Sequence, residues 1–196
     1  MPIEMQERRT RYRLNDALKE LLRKKPLDQI RVRELTDLCG IRRQSFYYHF
    51  TDVYDLFDWS VRQERELLAR RQDGCLTLQQ ALWDLLRHTE EDQAYYLALW
   101  KSRGHAGIRQ VLGGAVEGLM EKALAYYGER QGQAQPSPER EVHVQCGTMV
   151  LLALLEAWIC GDLEQPPETL CAMLEAWARQ AVLGAAWQRP DRWQRA

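Results

Sequence analysis

Apolar residues return at every third or fourth position along almost the whole chain, the spacing of one helix face. Leu14, Ala17, Leu18, Leu21 and Leu22 form the first such stripe, with arginines and acids opposite, and predict a helix from about Gln6 to Lys24. Lys25-Pro26 ends it, because a residue before proline is pushed out of the helical region. Leu27 to Ile30 follows as a connector with apolar anchors. Val32, Leu35 and Leu38 mark a short second helix, stopped at Cys39-Gly40, where glycine can take a left-handed turn. Arg42 to His49 reads as a short third helix. Leu35, Leu38, Ile41 and Phe46 are expected to meet between these two helices as an apolar wedge. Thr51-Asp52 offers an N-cap for a fourth helix reaching about Arg71, with Tyr54, Leu56, Phe57, Val61 and Leu67 or Leu68 inward.

The second half continues the pattern. Asp73-Gly74 breaks it, and Thr77-x-x-Gln80 has the form of a capping box opening a helix with Ala81, Leu82, Leu85 and Leu86. A helix around Asp92–Lys101 follows, and Gly104 interrupts it. Ile108, Val111, Leu112, Ala115, Leu119 and Leu124 predict a longer helix to about Tyr127-Gly128, weakened by Gly113-Gly114. Glu129 to Pro138 is the clearest loop. One long helix should start after Pro138 and reach about Gly161; another opens at Pro167, a favoured first-turn position, and reaches about Trp187. No strand pattern, repeat or low-complexity tract interrupts. The expected fold is all-α with about nine helices: a three-helix head over residues 1–52, a linker helix from about 52 to 71, and a helical body over 72–196.

Charge sharpens the division. The 196 residues carry a net charge of −1, yet residues 1–50 hold twelve basic and seven acidic side chains, a net +5 on an otherwise acidic chain. A cationic head on an acidic body suits a polyphosphate partner, although an ordinary solvated face is the competing explanation. Cys39, Cys75, Cys146, Cys160 and Cys171 are odd in number and lack a C-x-x-C pair, which argues against disulfides or a zinc site. No metal or cofactor is expected. Met1 to Lys25 is charged without a central apolar run, and Val142–Leu155 is too short to span a bilayer, so a cytoplasmic location with no membrane partner is expected.

The informative segment runs from Ile30 to Trp59: two short helices around the Gly40 bend. With the wedge inward, Arg42, Arg43, Gln44, Ser45, Tyr47, Tyr48 and His49 are left on or near the other surface. That set suits a DNA groove. Arginine forks to guanine O6 and N7 and glutamine pairs with adenine, while Tyr, Ser and His donate to phosphates. Arg42-Arg43-Gln44 also puts positive charge at a helix N-terminus, where the helix dipole disfavours it, and an anionic partner would offset that cost.

Here the sequence resembles the TetR family of regulators. Cys39-Gly40-Ile41 through Tyr47-Tyr48-His49-Phe50 matches the family's turn and recognition helix, and Asp52 to Trp59 resembles the start of its linker helix. The run Arg42-Arg43-Gln44-Ser45-Phe46-Tyr47, followed by Leu56-Phe57-Asp58-Trp59, is similar to the subgroup of dihydroxyacetone kinase operon regulators. The resemblance covers roughly residues 8–65; beyond that only helical content and length agree. It implies a family contact at Arg33, base or backbone reading by Arg43, Gln44 and Ser45, and phosphate contacts from Tyr47 and His49. Two positions depart. Arg31 stands where the family often has a capping Thr, and Val53 where it often has a phosphate-anchoring Lys; Arg31 is expected to supply the missing charge. The implied function is a DNA-binding regulator of a near-palindromic operator, a repressor in most of the family, although the subgroup includes an activator.

In the body, Met149 to Ile159 carries one charge and is apolar all round, so it needs cover on every side. Leu170, Leu174, Trp177 and Ala181 add a stripe on the last helix. A two-fold homodimer built on Met149, Leu152, Leu155, Trp158, Leu170, Leu174, Trp177 and Ala181 is the expected solution, a monomer whose stripes cover each other the competing one. Trp83, Tyr95, Tyr96, Trp100, His105, Met120 and Trp158 are candidates to line a cavity for a small-molecule effector, against plain core packing. His88 and His105 lack a third ligand at metal spacing. The chain has no glycine-rich phosphate loop, G-x-S-x-G, H-E-x-x-H or usefully spaced Cys–His pair, so an enzyme is not expected. The other class to weigh is a helical co-regulator acting by protein contact without DNA.

Overall fold

The structure, a computed structural model, describes residues 3–75, 77–128 and 138–184. Among the described residues there are eight α-helices, one 3-10 turn and no strand. They are α1 (Ile3–Leu22), the 3-10 turn Leu27–Gln29, α2 (Val32–Cys39), α3 (Arg43–His49), α4 (Val53–Asp73), α5 (Leu78–Glu91), α6 (Gln93–Gly128), α7 (Pro138–Cys160) and α8 (Pro167–Gly184). The expected loop from Glu129 lies outside the described residues up to Pro138, where α7 begins.

The interruption expected at Gly104 is there: α6 is two helical stretches joined across a kink at that residue, so counting them separately gives the expected nine among the described residues. The Gly104 φ of 58° and ψ of −151° suit only glycine, so helical pairing resumes after one aberrant residue. Gly113-Gly114 leaves the helix intact.

The chain divides into two compact units. The first comprises residues 1–67 and 89–111. Its core includes Leu14, Leu18, Leu35, Phe46, Leu56, Phe57, Tyr95, Tyr96 and Leu99, each essentially without solvent contact. A file of rings stiffens it: Tyr12 and Phe50 each meet Trp59 edge-on, and Phe57 meets Tyr95 at 5.6 Å. Two expectations fail here. Leu38 is 49% exposed, because Leu35, Thr36 and Cys39 form the inward face of α2. Tyr54, in the first turn of α4, is 53% exposed while Val53 beside it is buried. Asp52 caps α4 by accepting the Asp55 amide at 2.8 Å, and Asp55 accepts the Thr51 amide in return.

A buried ionic knot ties α1, α4 and the start of α6 together. Lys19 Nζ lies 2.8 Å from Glu64 and 2.6 Å from Asp92; Arg23 reaches Asp92 and the Tyr96 hydroxyl donates to Glu64. Burial alone would lower the Lys19 pKa, but the two carboxylates outweigh it and the net shift is upward.

The second unit comprises residues 68–88 and 112–196. Leu82, Leu85, Leu86, Val116, Leu119, Leu155, Ile159 and Leu170 are buried in it, and α7 packs on α8. Thr77 caps α5 by accepting the Gln80 amide. Arg71 forks onto Asp84 at 2.8 and 2.6 Å, and Lys122 Nζ donates to the carbonyls of Gln72 and Cys75, closing the C-terminus of α4. From Arg140 to Cys160, 21 residues that include charges flanking the apolar stretch, α7 is long and apolar enough by length and composition to cross a membrane, a test that a core helix also passes.

Candidate nucleic-acid interface

Gly40 makes the bend. At φ 59° and ψ 37° it is left-handed, so its amide and that of Ile41 fold back onto the last turn of α2. Phe46, fully buried, then pins α3 to the core, and the remaining side chains of that short helix are directed by their phase relative to it. Arg42, Arg43, Gln44 and Ser45 are exposed, as are Tyr47 at 58% and Tyr48 at 71%; His49 is half-buried. No side chain caps α3 and its first turn holds no acid, so the cationic start goes uncompensated by its own helix.

The flanking positions divide. Arg33 is exposed and meets Asp37 at 3.6 Å. Arg31 is exposed at the N-cap of α2, where only half a capping box forms: Glu34 accepts the Arg31 amide at 3.0 Å, and a guanidinium has no acceptor to give back. Lys25 holds Glu34 in place and pulls its carboxyl below the usual range. Val53 is part of the core, so no phosphate anchor stands there.

Sequence reasoning counted the arginines of α1 without placing them. Arg9, Arg13, Thr10 and Glu7 line one wall of a groove of about 1080 Å³, with Arg42, Gln44, Ser45, Tyr48 and His49 on the other. The Arg13 guanidinium donates to the Cys39 carbonyl and the Cys39 thiol donates to the Arg13 carbonyl, fixing α1 against the turn. Burial pushes the Cys39 thiol pKa up, so it stays protonated. The Tyr48 hydroxyl donates to Glu7 at 2.7 Å, which raises the phenol's pKa. Burial first, and Arg11 second, lower the His49 pKa, which favours the neutral imidazole. The signal for this wall was the spacing of residues 9, 10 and 13, one face of a helix.

The remaining candidate residues do not behave alike. Tyr95 and Tyr96 are wholly buried, their hydroxyls on Ser60 and Glu64, and burial raises both pKa values. They are core anchors, not cavity lining. Met120 is buried and packs directly over Gly147. Trp83 is 36% exposed beneath Arg87, Trp100 is half-buried, and Trp158 donates its indole N–H to the Gln165 carbonyl. Leu152, Leu155, Leu170 and Leu174 are buried within the single chain, while Met149 is 58% exposed and Trp177 half-buried; the side chain of Ala181 lies outside the described residues.

No protein-family model matches the chain. The HTH-type dhaKLM operon transcriptional activator DhaS of Lactococcus lactis subsp. lactis is 30% identical over 80 residues, 41% of this chain and 43% of that protein. The match thus spans less than half of the relative's length. A solved structure of the dihydroxyacetone kinase operon activator DhaS superposes with a TM-score of 0.71 at 20% identity, covering 89% of this chain and 96% of that one. The chain shares its fold with DhaS. A TetR transcriptional regulator from Rhodococcus sp. RHA1 aligns over 89% of this chain and 93% of its own, with a TM-score of 0.49 and 16% identity. The all-α pattern read along the chain and the resemblance read over roughly residues 8–65 therefore agree with a shared fold over 89% of the chain.

Proposed function

We propose that the chain is a transcriptional regulator that binds duplex DNA sequence-specifically, residues 1–52 reading the operator, a linker helix running to about 71, and residues 72–196 dimerising. The observation that carries this reading is the outward Arg42–Ser45 run on a helix pinned by a buried Phe46. Four polar side chains, two cationic, stand clear of their own chain on an element narrow enough for a major groove about 12 Å wide. A binding protein and not a catalyst is the reading that the named relatives favour. They are activators by name, which favours activation over the repression common in the wider family.

The homodimer is part of the proposal, with its face revised. Val142, Met149 and Val150 on α7 and Met173 on α8 are large apolar side chains at 41–58% exposure, and a second copy is the partner that covers them symmetrically. Two recognition helices about 34–36 Å apart would then meet successive turns of one duplex face. A cytoplasmic location follows from the DNA target. A small-molecule effector acting on residues 72–196 completes the proposal, with Trp83, Trp100 and Trp158 as its remaining aromatic candidates.

The test selects an operator from random duplexes and measures affinity by fluorescence anisotropy. Arg43→Ala should weaken operator binding by about 1–3 kcal/mol and relax preference at one base position. Absence of any salt-sensitive specific complex in the wild type would leave a co-regulator acting by protein contact as the better reading.

A further inference from the structure

The groove between α1 and α3 brings like charges together without neutralising them. Arg9 on one wall and Arg42 on the other are exposed, and neither forms an ion pair among the described residues. His49 Nδ1 is buried there with no hydrogen-bond partner among the described residues. Among the described lining residues Glu7 is the one acid, and its carboxylate accepts the Tyr48 hydroxyl at 2.7 Å. Tyr48 is therefore a donor held at the rim of a cationic slot by a negative charge.

Guanidinium, phenol and imidazole all serve phosphate oxygens, and on two walls of one open groove they match a passing backbone better than a base edge. The groove also opens onto the exposed face of α3, so a strand flanking that helix would cross it. We infer that a backbone phosphate of the bound duplex seats between Arg9 of α1 and Arg42, the N-cap residue of α3, displacing Glu7 from the Tyr48 hydroxyl, which then donates to the phosphate. Glu7 acts against binding and α1 becomes a second DNA-contacting element. This inference rests on the DNA-binding reading above and deepens it.

Arg9→Ala and Glu7→Gln separate the two. Arg9 is exposed and Glu7 half-buried near the start of α1, and circular dichroism checks that the variants fold. Arg9→Ala should weaken operator and unrelated duplex by the same factor, about five- to tenfold at low salt, and flatten the slope of log affinity against log salt by about one. Phosphate-ethylation interference should lose one symmetric pair of positions. Glu7→Gln should tighten both duplexes a fewfold. If Arg43→Ala relaxes base preference while Arg9→Ala and Glu7→Gln leave affinity, slope and ethylation pattern unchanged, the phosphate seat is wrong and the DNA reading survives. If Arg9→Ala changes preference at one operator base, the arginine reads sequence and the seat is equally wrong. If millimolar inorganic phosphate shifts the Tyr48 ring resonances of the wild type but not of Arg9→Ala, and no ethylation signal is lost, the groove holds a free anion and not a strand. If no duplex binds in a salt-sensitive way, both readings fall together.

Discussion

Lys19→Met should destabilise the protein by about 3 kcal/mol. Lys19 is 15% exposed, Glu64 3% and Asp92 15%, so the ammonium sits between two carboxylates that water barely reaches. Removing one partner of such a buried group costs about 3–5 kcal/mol, because the charge left behind stays desolvated. The low end applies here, since Asp92 keeps Arg23 at 3.1 Å and Glu64 keeps the Tyr96 hydroxyl at 2.8 Å. At about 2–4 °C per kcal/mol for a chain of this size, the midpoint should fall by about 6–12 °C. Paired urea and thermal titrations followed by circular dichroism measure it. Adding Glu64→Gln to Lys19→Met removes the stranded charge, so the double variant should regain more than half of the loss. A single-variant cost under about 1 kcal/mol, or a double variant less stable than Lys19→Met alone, would refute the argument that charge balance and not shape holds α1, α4 and α6 together.

Asp84→Asn should cost about 0.5–1 kcal/mol at pH 7, since Arg71 is 37% exposed and solvent screens the fork. The Arg71 hydrogen bonds lower the Asp84 pKa below its ordinary 3.8, so the aspartate's contribution is full above that value and disappears as pH falls through the folded value; wild type and variant should converge in acid, as urea midpoints from pH 7 to 2.5 would reveal. Met149→Glu places a carboxylate in the apolar face of α7 and should weaken self-association at least a hundredfold, about 3 kcal/mol, seen as a shift to monomer in sedimentation velocity; a wild type that sediments as a monomer defeats the dimer outright.

How much of this was legible depended on whether the deciding contact was local. The α1 stripe, the Asp52 and Thr77 caps, the Gly40 bend and the outward run after it all lie within one turn of the residues that reveal them. Leu38 misled because Cys39, one residue later, fills the inward position that Leu38's own spacing from Leu35 also fits. Tyr95 and Tyr96 were read as cavity lining because their hydrogen-bond partners, Ser60 and Glu64, are 35 and 32 residues away. Leu152 and Leu155 were given to a partner subunit for a related reason: a helix apolar all round does not say which side meets its own chain. The α1 wall of the groove was hidden by the same long range, Glu7 and Tyr48 being 41 residues apart.

Gly104 has a consequence for which side of α6 is inward. Stepping from the buried Leu99 by about 3.6 residues per turn lands near positions 106 and 110. Ala106 and Gln110 are exposed, whereas Gly107, Ile108 and Val111 are buried. The aberrant residue has rotated the helix by about one position, roughly 100° of azimuth. Any side-chain-bearing residue at 104 that straightened the backbone would turn Ile108 and Val111 partly toward water and Gln110 partly inward. One glycine thus sets the rotational phase of the segment after it, and the amphipathic pattern of α6 makes sense only when counted separately on its two sides.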